Sequence, residues 1–312
     1  MRRAGIALLL LSLAGLVAAI LLSQRPEVPP LTDSRMITVD GHAVHVWERG
    51  SGPTIILLHG AGGNLRDFTF AIAPRLAETH NVIAFDRPGL GLSDGLGRDH
   101  QSPAEQAALL SQAARQMGVE RAVIVGHSYG GAVAMAWALD HPDQAAAVVS
   151  LAGAVQPWEG GLGGFYAVLS SPISGPITAA FIANLTPTRA AEAAVESIFA
   201  PDPVPPGYID HVAVGLTLQT SVLQANAQQV NTLLPHVTAM TSRYGALAMP
   251  LEIIHGSADT TVPLRVHSEP LAAQVPGANL TVLDGVGHMP HHADPDAAIA
   301  AITRAVDRAG LR

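Results

Sequence analysis

The chain has 312 residues, 48% hydrophobic and 13% charged, with 17 basic groups against 25 acidic ones for a formal charge of -8. That composition excludes disorder, fits two domains or one large α/β domain, and, lacking any basic block, excludes nucleic acid as a partner. Every basic residue is an arginine and there is no cysteine, which removes disulfides, thiolate nucleophiles, cysteine-bound metals and any lysine-dependent phosphate loop.

Met1-Arg2-Arg3 leads into an apolar run at residues 4–22, interrupted only by small residues and Ser12. Nineteen residues at about 1.5 Å each reach roughly 29 Å, enough to cross a bilayer core. Two readings stand. One is a signal segment cleaved at Val17-Ala18-Ala19; the other is an uncleaved anchor, favoured because Ile20-Leu21-Leu22 prolongs the run past that site. Positive charge ahead of the run leaves the N-terminus cytoplasmic and the rest outside, so the protein is expected to be membrane-anchored facing outward, or secreted or periplasmic if cleaved. Residues 23–34, with Pro26, Pro29 and Pro30, read as an extended tether, and the folded body begins near Arg35.

Alternating patterns at 36–40 and 43–48 around Gly41-His42 predict a hairpin. Residues 54–58 form a continuous apolar run, as a strand buried in a parallel sheet requires; similar runs recur at 82–85, 122–125, 147–151, 251–254 and 280–283. The best-marked helix is 103–117, with Ser102 and Glu105 as a capping box, Pro103 at the first helical position and Gly118 at the end. Strands alternating with helices predict a mostly parallel sheet covered on both faces, with ligands beyond the carboxyl ends of the strands. Residues 156–235 break the rhythm: helical patterns at 189–199 and 215–234, proline and glycine punctuation, and no convincing strand. They are predicted to be a helical cap inserted between core segments 35–155 and 236–312.

The sharpest chemical signal is Gly126-His127-Ser128-Tyr129-Gly130, between an apolar strand and an alanine-rich helix. A sharp strand-to-helix turn strains its central residue and raises the serine hydroxyl above the sheet, at the positive end of the following helix; glycines on either side leave room for the turn. On these residues the chain resembles the α/β-hydrolase fold superfamily, from about Arg35 to the C-terminus. His59-Gly60-Ala61-Gly62-Gly63 matches the oxyanion loop, Asp86-Arg87-Pro88-Gly89-Leu90-Gly91-Leu92-Ser93 the structural turn after the fourth strand, and Gly287-His288-Met289-Pro290 the histidine loop. The resemblance implies an eight-stranded, mostly parallel sheet with helices on both faces and a helical cap.

A serine hydroxyl needs a base to remove its proton. Of the 14 histidines, His288 is the candidate, on the loop after the last strand. His127 should point elsewhere, His59 is structural, and His291 and His292 fall in the next helix. Asp259, just past the strand 251–254, is the candidate for the acid that orients His288; Asp284 is its rival, while Asp86 belongs to the structural turn. The order Ser128, Asp259, His288 is the one this fold uses. The resemblance places the oxyanion hole at the backbone N–H groups of Tyr129 and Ala61. Gly89-Leu90-Gly91 is not a dinucleotide loop, since Asp94 stands where the third glycine is needed. His291-His292-Ala293-Asp294 could offer metal ligands, but adjacent helical histidines point about 100° apart, so a solvated helix start is expected there. No metal and no cofactor are expected.

Serine at the elbow, where related epoxide hydrolases and dehalogenases carry aspartate, points to acyl transfer through an acyl-enzyme. A carboxylic ester hydrolase acting on small to medium apolar esters is the first expectation, because the cap carries few charges (Glu159, Arg189, Glu192, Glu196, Asp202 and Asp210). A cofactor-free perhydrolase or haloperoxidase-like activity and a carbon–carbon bond hydrolase use the same three residues. A non-catalytic binding protein on the same fold is the remaining class, which an organophosphate or fluorophosphonate probe separates from an enzyme.

Overall fold

A computed structural model describes residues 31–311, together with Gly15 and Val28; the apolar segment 4–22 otherwise lies outside the described residues. Among those described, no single helix is long and apolar enough to cross a membrane. The predicted hairpin is β1 (Ser34–Val39) and β2 (His42–Arg49), joined through Asp40 and Gly41, both with positive φ. Six further strands follow: β3 (Thr54–Leu58), β4 (Asn81–Phe85), β5 (Ala122–His127), β6 (Ala145–Leu151), β7 (Leu251–Gly256) and β8 (Asn279–Leu283). They form one eight-stranded sheet in the order β1-β2-β4-β3-β5-β6-β7-β8. β2 runs antiparallel to both β1 and β4, and all other pairs are parallel.

The described helices, in chain order, are α1 (Arg66–Thr69), α2 (Ile72–Leu76), α3 (Pro103–Gln116), α4 (Tyr129–Asp140), α5 (Gly164–Ser170), α6 (Ser174–Leu185), α7 (Thr188–Phe199), α8 (Tyr208–Val212), α9 (Thr220–Thr241), α10 (Leu264–Gln274), α11 (Pro290–Ala293) and α12 (Pro295–Arg308). Because side chains alternate along a strand, β3 sends Ile55 and Leu57 to one face and Ile56 and Leu58 to the other, and both faces are covered. Ile56 and Leu58 pack with Leu110 of α3 and Met135 of α4; Ile55 and Leu57 pack with Leu76 of α2 and Ile302 of α12. This two-sided burial is why the central strands read as unbroken apolar runs. β8 is the edge, so Val282 on it is exposed. The capping box of α3 forms: Ser102 Oγ accepts from Glu105 N–H at 3.2 Å, and Glu105 Oε2 accepts from Ser102 N–H at 3.1 Å.

Between β6 and β7 the described chain forms no strand and runs through helices α5 to α9 with turns between them. The helix expected at 215–234 divides into a 3₁₀ turn at Val214–Leu216 and α9, which continues through Pro235 to Thr241. Proline removes one backbone donor, but Val237 and Met240 beyond it are buried in the main core, and that burial holds the last turns. α9 thereby belongs to both cap and core.

Candidate active site

β3 has β4 on one side and β5 on the other, so the chain order reverses beside it and the loops leaving β3 and β5 diverge above the sheet. That crevice is where open α/β sheets bind ligands. Ser128 sits there at φ 53°, ψ -119°, a conformation that costs a non-glycine residue of order 1–3 kcal/mol and occurs where structure over-determines it. The close approach that enforces it is at Gly126 and Gly130: a Cβ on the first would lie 2.1 Å from Gly130 O, and on the second 2.1 Å from Leu58 O.

His288 Nδ1 lies 2.7 Å from Asp259 Oδ2, and since a carboxylate only accepts, Nδ1 carries the proton and Nε2 is left to face a substrate or nucleophile. Asp259 Oδ1 accepts from the N–H groups of Thr261 and Val262, and Oδ2 also accepts from His255 Nε2 at 3.0 Å. Burial alone would raise this carboxyl; the hydrogen bonds from His255 and His288 outweigh it and hold Asp259 well below the usual carboxylate range. It stays ionised and can stabilise an imidazolium. Asp284 is exposed and accepts from the Ser257 hydroxyl, so the structure places Asp259, and not its rival, against His288. Ser128 Oγ makes no hydrogen bond to His288 among the described residues; such bonds commonly tighten only when substrate binds.

Neither Ala61 N–H nor Tyr129 N–H donates to a protein acceptor among the described residues, although Gly62 and Gly63 beside Ala61 both do. Ala61, Tyr129 and Ser128 line one cleft of about 690 Å³, whose other walls are mainly apolar: Ala154, Pro157, Leu162, Val230, Leu233 and Val266 among them. A second cavity of about 280 Å³ lies across Ala61 and Tyr166 and reaches Asp67, His127, Phe199 and Met289.

The oxyanion loop is held by a buried arginine. Arg87 donates through Nε to His59 O at 2.7 Å, through Nη2 to Gly60 O at 2.9 Å, and through Nη1 to Gln106 of α3 and Gln229 of α9, while stacking on the Tyr129 ring. Burial lowers it to about 10, so it remains charged at neutral pH. His59 donates from Nδ1 to Gly60 O and accepts from Arg87 N–H at Nε2; burial, then Arg87, lowers it to about 4 and keeps it neutral. It is structural, as the sequence suggested. So is Asp86, which accepts from His45, Leu65 N–H and Leu92 N–H.

His291 and His292 correct an expectation. They do not form a solvated helix start: both are buried and donate to Asp67 at 3.1 and 2.8 Å, with Tyr208 OH a third donor to that carboxylate. The His291 ring also stacks against Phe68 of α1 at 5.3 Å, so burial of the rings and pairing with Asp67 both favour an inward orientation. Burial pushes Asp67 up, but the two histidines more than compensate and hold it well below its usual range. Ligand atoms of Asp67, His291 and His292 lie within 4.8 Å of one another and could hold a cation, although the carboxylate already accepts three hydrogen bonds. His127, whose ring packs on His291, donates from Nε2 to His288 O at 3.0 Å and so supports the backbone of the histidine loop.

Four contributors escape a reading of the sequence alone: Asp67, Arg87 as a clamp, His255 and Asp202. Asp202, in the proline cluster of the cap, accepts from Gly287 N–H at 2.7 Å and pins the histidine loop from above. Only His255 carries a local signal, four residues ahead of Asp259.

Residues 53–295 match the sequence profile of the alpha/beta hydrolase fold. The chain is 28% identical over 306 residues to an uncharacterised protein of Mycobacterium tuberculosis, covering 91% of this chain and 85% of that one. It is 29% identical over 155 residues to a 2-hydroxy-6-oxo-6-phenylhexa-2,4-dienoate hydrolase of Burkholderia cepacia, covering 47% of this chain and 51% of the relative. Among solved structures, an esterase from Rhodococcus sp. superposes with a TM-score of 0.69 at 21% identity, over 88% of this chain and 99% of that one, which bears on the fold alone. With sheet order, elbow strain and profile in agreement, the chain belongs to the alpha/beta hydrolase fold family.

Proposed function

We propose that the protein is a serine hydrolase that cleaves carboxylic esters of small to medium apolar substrates through an acyl-enzyme on Ser128. The observation that carries this reading is the 2.7 Å bond from His288 to an ionised, buried Asp259, beside a strained serine that opens into an apolar cleft. In this scheme His288 Nε2 takes the Ser128 proton as Oγ attacks the ester carbonyl, and the free N–H groups of Ala61 and Tyr129 bind the oxyanion. The alkoxide leaves with the proton from His288, and water then attacks the acyl-enzyme by the same route.

The likeness to a carbon–carbon bond hydrolase supplies the second reading. The cleft weighs against it: its titratable lining residues are Tyr129, Glu159, Tyr166 and His267, and burial raises both tyrosines and lowers His267 to about 4, so no described lining group offers a cation to a dienoate carboxylate. Uncharged esters suit it better.

A fluorophosphonate should label Ser128, and Ser128→Ala should cut hydrolysis of p-nitrophenyl esters by about 10³-fold or more while the protein stays folded. His288→Ala should match it. Asp259→Asn should inactivate and Asp284→Asn should not. Peptide mapping that finds the label elsewhere overturns the assignment.

On the sequence of residues 1–34 alone, the catalytic body is proposed to act outside the cytoplasm, held by residues 4–22 or released by cleavage after Ala19. Fractionation with N-terminal sequencing tests this, and a full-length cytosolic protein would refute both forms.

A further inference from the structure

Ten large apolar side chains stand exposed among the described residues, and seven of them fall between Leu162 and Leu185. Ile173 is 82% exposed, Leu185 68%, Phe165 57% and Phe181 52%. This stretch is α5 and α6, two helices meeting at a 107° bend, and no Asp, Glu, Lys or Arg occurs between Glu159 and Arg189. The inner side is already satisfied: Leu169 and Ala179 pack on Leu223 and Ala227 of α9. The hairpin thus packs on α9 through Leu169 and Ala179, with Tyr166 and Ile182 partly buried beside them, and still turns Phe165, Ile173, Ile177, Phe181 and Leu185 to solvent, far more apolar surface than a soluble surface helix exposes.

We propose that the α5–α6 hairpin is a membrane-docking surface, lying in the lipid interface and passing acyl esters from the bilayer into the Ser128 cleft. Three observations select lipid as the occupant. The hairpin has no charged residue of its own, with only Arg98 from another segment donating to Ser170 O at the end of α5, and it is bent and too short per helix to span, the form of an interfacial element. Leu162 and Tyr166, on the same stretch, line the cleft that holds Ser128, so the outward face continues into the site. The bilayer-length apolar run ends at Leu22 and Leu31 already packs on the core, so the intervening residues 23–30, at most about 29 Å of extended chain, keep the patch within reach of that membrane. The substrate half of this inference rests on the ester-hydrolase reading; the docking half does not.

The chain has no cysteine, so single cysteines can carry a fluorophore without background. In the full-length protein with phosphatidylcholine vesicles containing nitroxide lipids, labels at Ile173→Cys and Phe181→Cys should be quenched several-fold more than labels at Met36→Cys, next to the tether, and Val282→Cys, on the sheet edge. Equal quenching at all four overturns the proposal, because tethering alone would give it. So does a self-associated form in which labels at 173 and 181 are shielded from lipid. In a second arm, the triple variant Ile173→Ser, Phe181→Ser, Leu185→Ser, none of which lines either cavity, should lose at least about tenfold on vesicle-embedded esters and keep its rate on soluble p-nitrophenyl acetate. Parallel loss on both substrates refutes docking. Absence of all esterase activity in the wild type refutes the hydrolase reading, while the quenching arm still decides the docking surface.

Discussion

Asp202 and Gly287 are separated by 85 positions, yet one carboxylate oxygen accepts the other's N–H at 2.7 Å directly beside His288. The loop has little freedom there, since a Cβ on Gly287 would lie 2.4 Å from Ala200 O. With His127 bonded to the His288 carbonyl as well, the histidine loop is held at two successive residues. Misplacing a catalytic group by an ångström costs about 10²-fold, so Asp202→Ala should lower kcat by roughly 10- to 100-fold with little change in KM. Asp202→Asn keeps an acceptor oxygen and should retain most of the rate. Equal loss in both variants, or a loss that simply tracks a lowered Tm, would show that the residue does not position the loop. His291 and His292 belong to the same support, and their burial on Asp67 makes them stability residues.

At the scale of elements, Arg87 joins the loop after β3 to α3 and α9 through four hydrogen bonds, so the oxyanion loop, the core and the cap share one buried charge. Arg87→Met leaves His59 O and Gly60 O without that donor and strands the Oε1 atoms of Gln106 and Gln229. Leaving a buried acceptor unsatisfied costs about 1–3 kcal/mol, and several are left here. A lysine offers a single ammonium in place of the planar fork and should recover little of it. Urea unfolding of Arg87→Met and Arg87→Lys measures this, and a loss below about 1 kcal/mol in either would mean the clamp is dispensable. The same elements show why side-chain direction in the cap eludes sequence patterns: Phe181 is exposed, whereas Phe199 is buried against Tyr208 and Met289.

For the whole molecule, buried neutral histidines set the acid limit. His59, His267 and His291 are each lowered to about 4, chiefly by burial, from an ordinary value near 6.5. A lowered folded value means that the unfolded chain takes up protons first as pH falls. The stabilisation is therefore whole above about pH 6.5 and is lost as pH drops towards 4, at about 1.4 kcal/mol per pH unit for each histidine. Three such groups acting together should lose about 4 kcal/mol per unit near pH 5, a large share of a typical domain's stability. Asp259 and Asp67, held ionised in the fold, extend the loss to lower pH. Denaturant midpoints measured from pH 7 to 4.5 should fall steeply, and a flat profile down to pH 5 would refute the assignment of these histidines as buried and neutral.

What the sequence determined by itself is what local chemistry encodes. Two-sided burial wrote β3 and β5 as apolar runs, Ser102 and Glu105 wrote the start of α3, and the glycines around Ser128 wrote the elbow. Ser128, Asp259 and His288 stand out in the sequence as candidates because each follows a strand end, and the fold gathers strand ends at one edge of the sheet. Asp259 against Asp284 was decided only in three dimensions, by which carboxylate meets the ring. Asp202, Asp67 and the clamp of Arg87 act across long stretches of chain, where no spacing rule applies. The outward turn of the α5–α6 side chains likewise belongs to tertiary structure: a helix apolar on all sides does not announce which side its neighbour α9 will cover, and packing of Leu169 and Ala179 on that neighbour settled it.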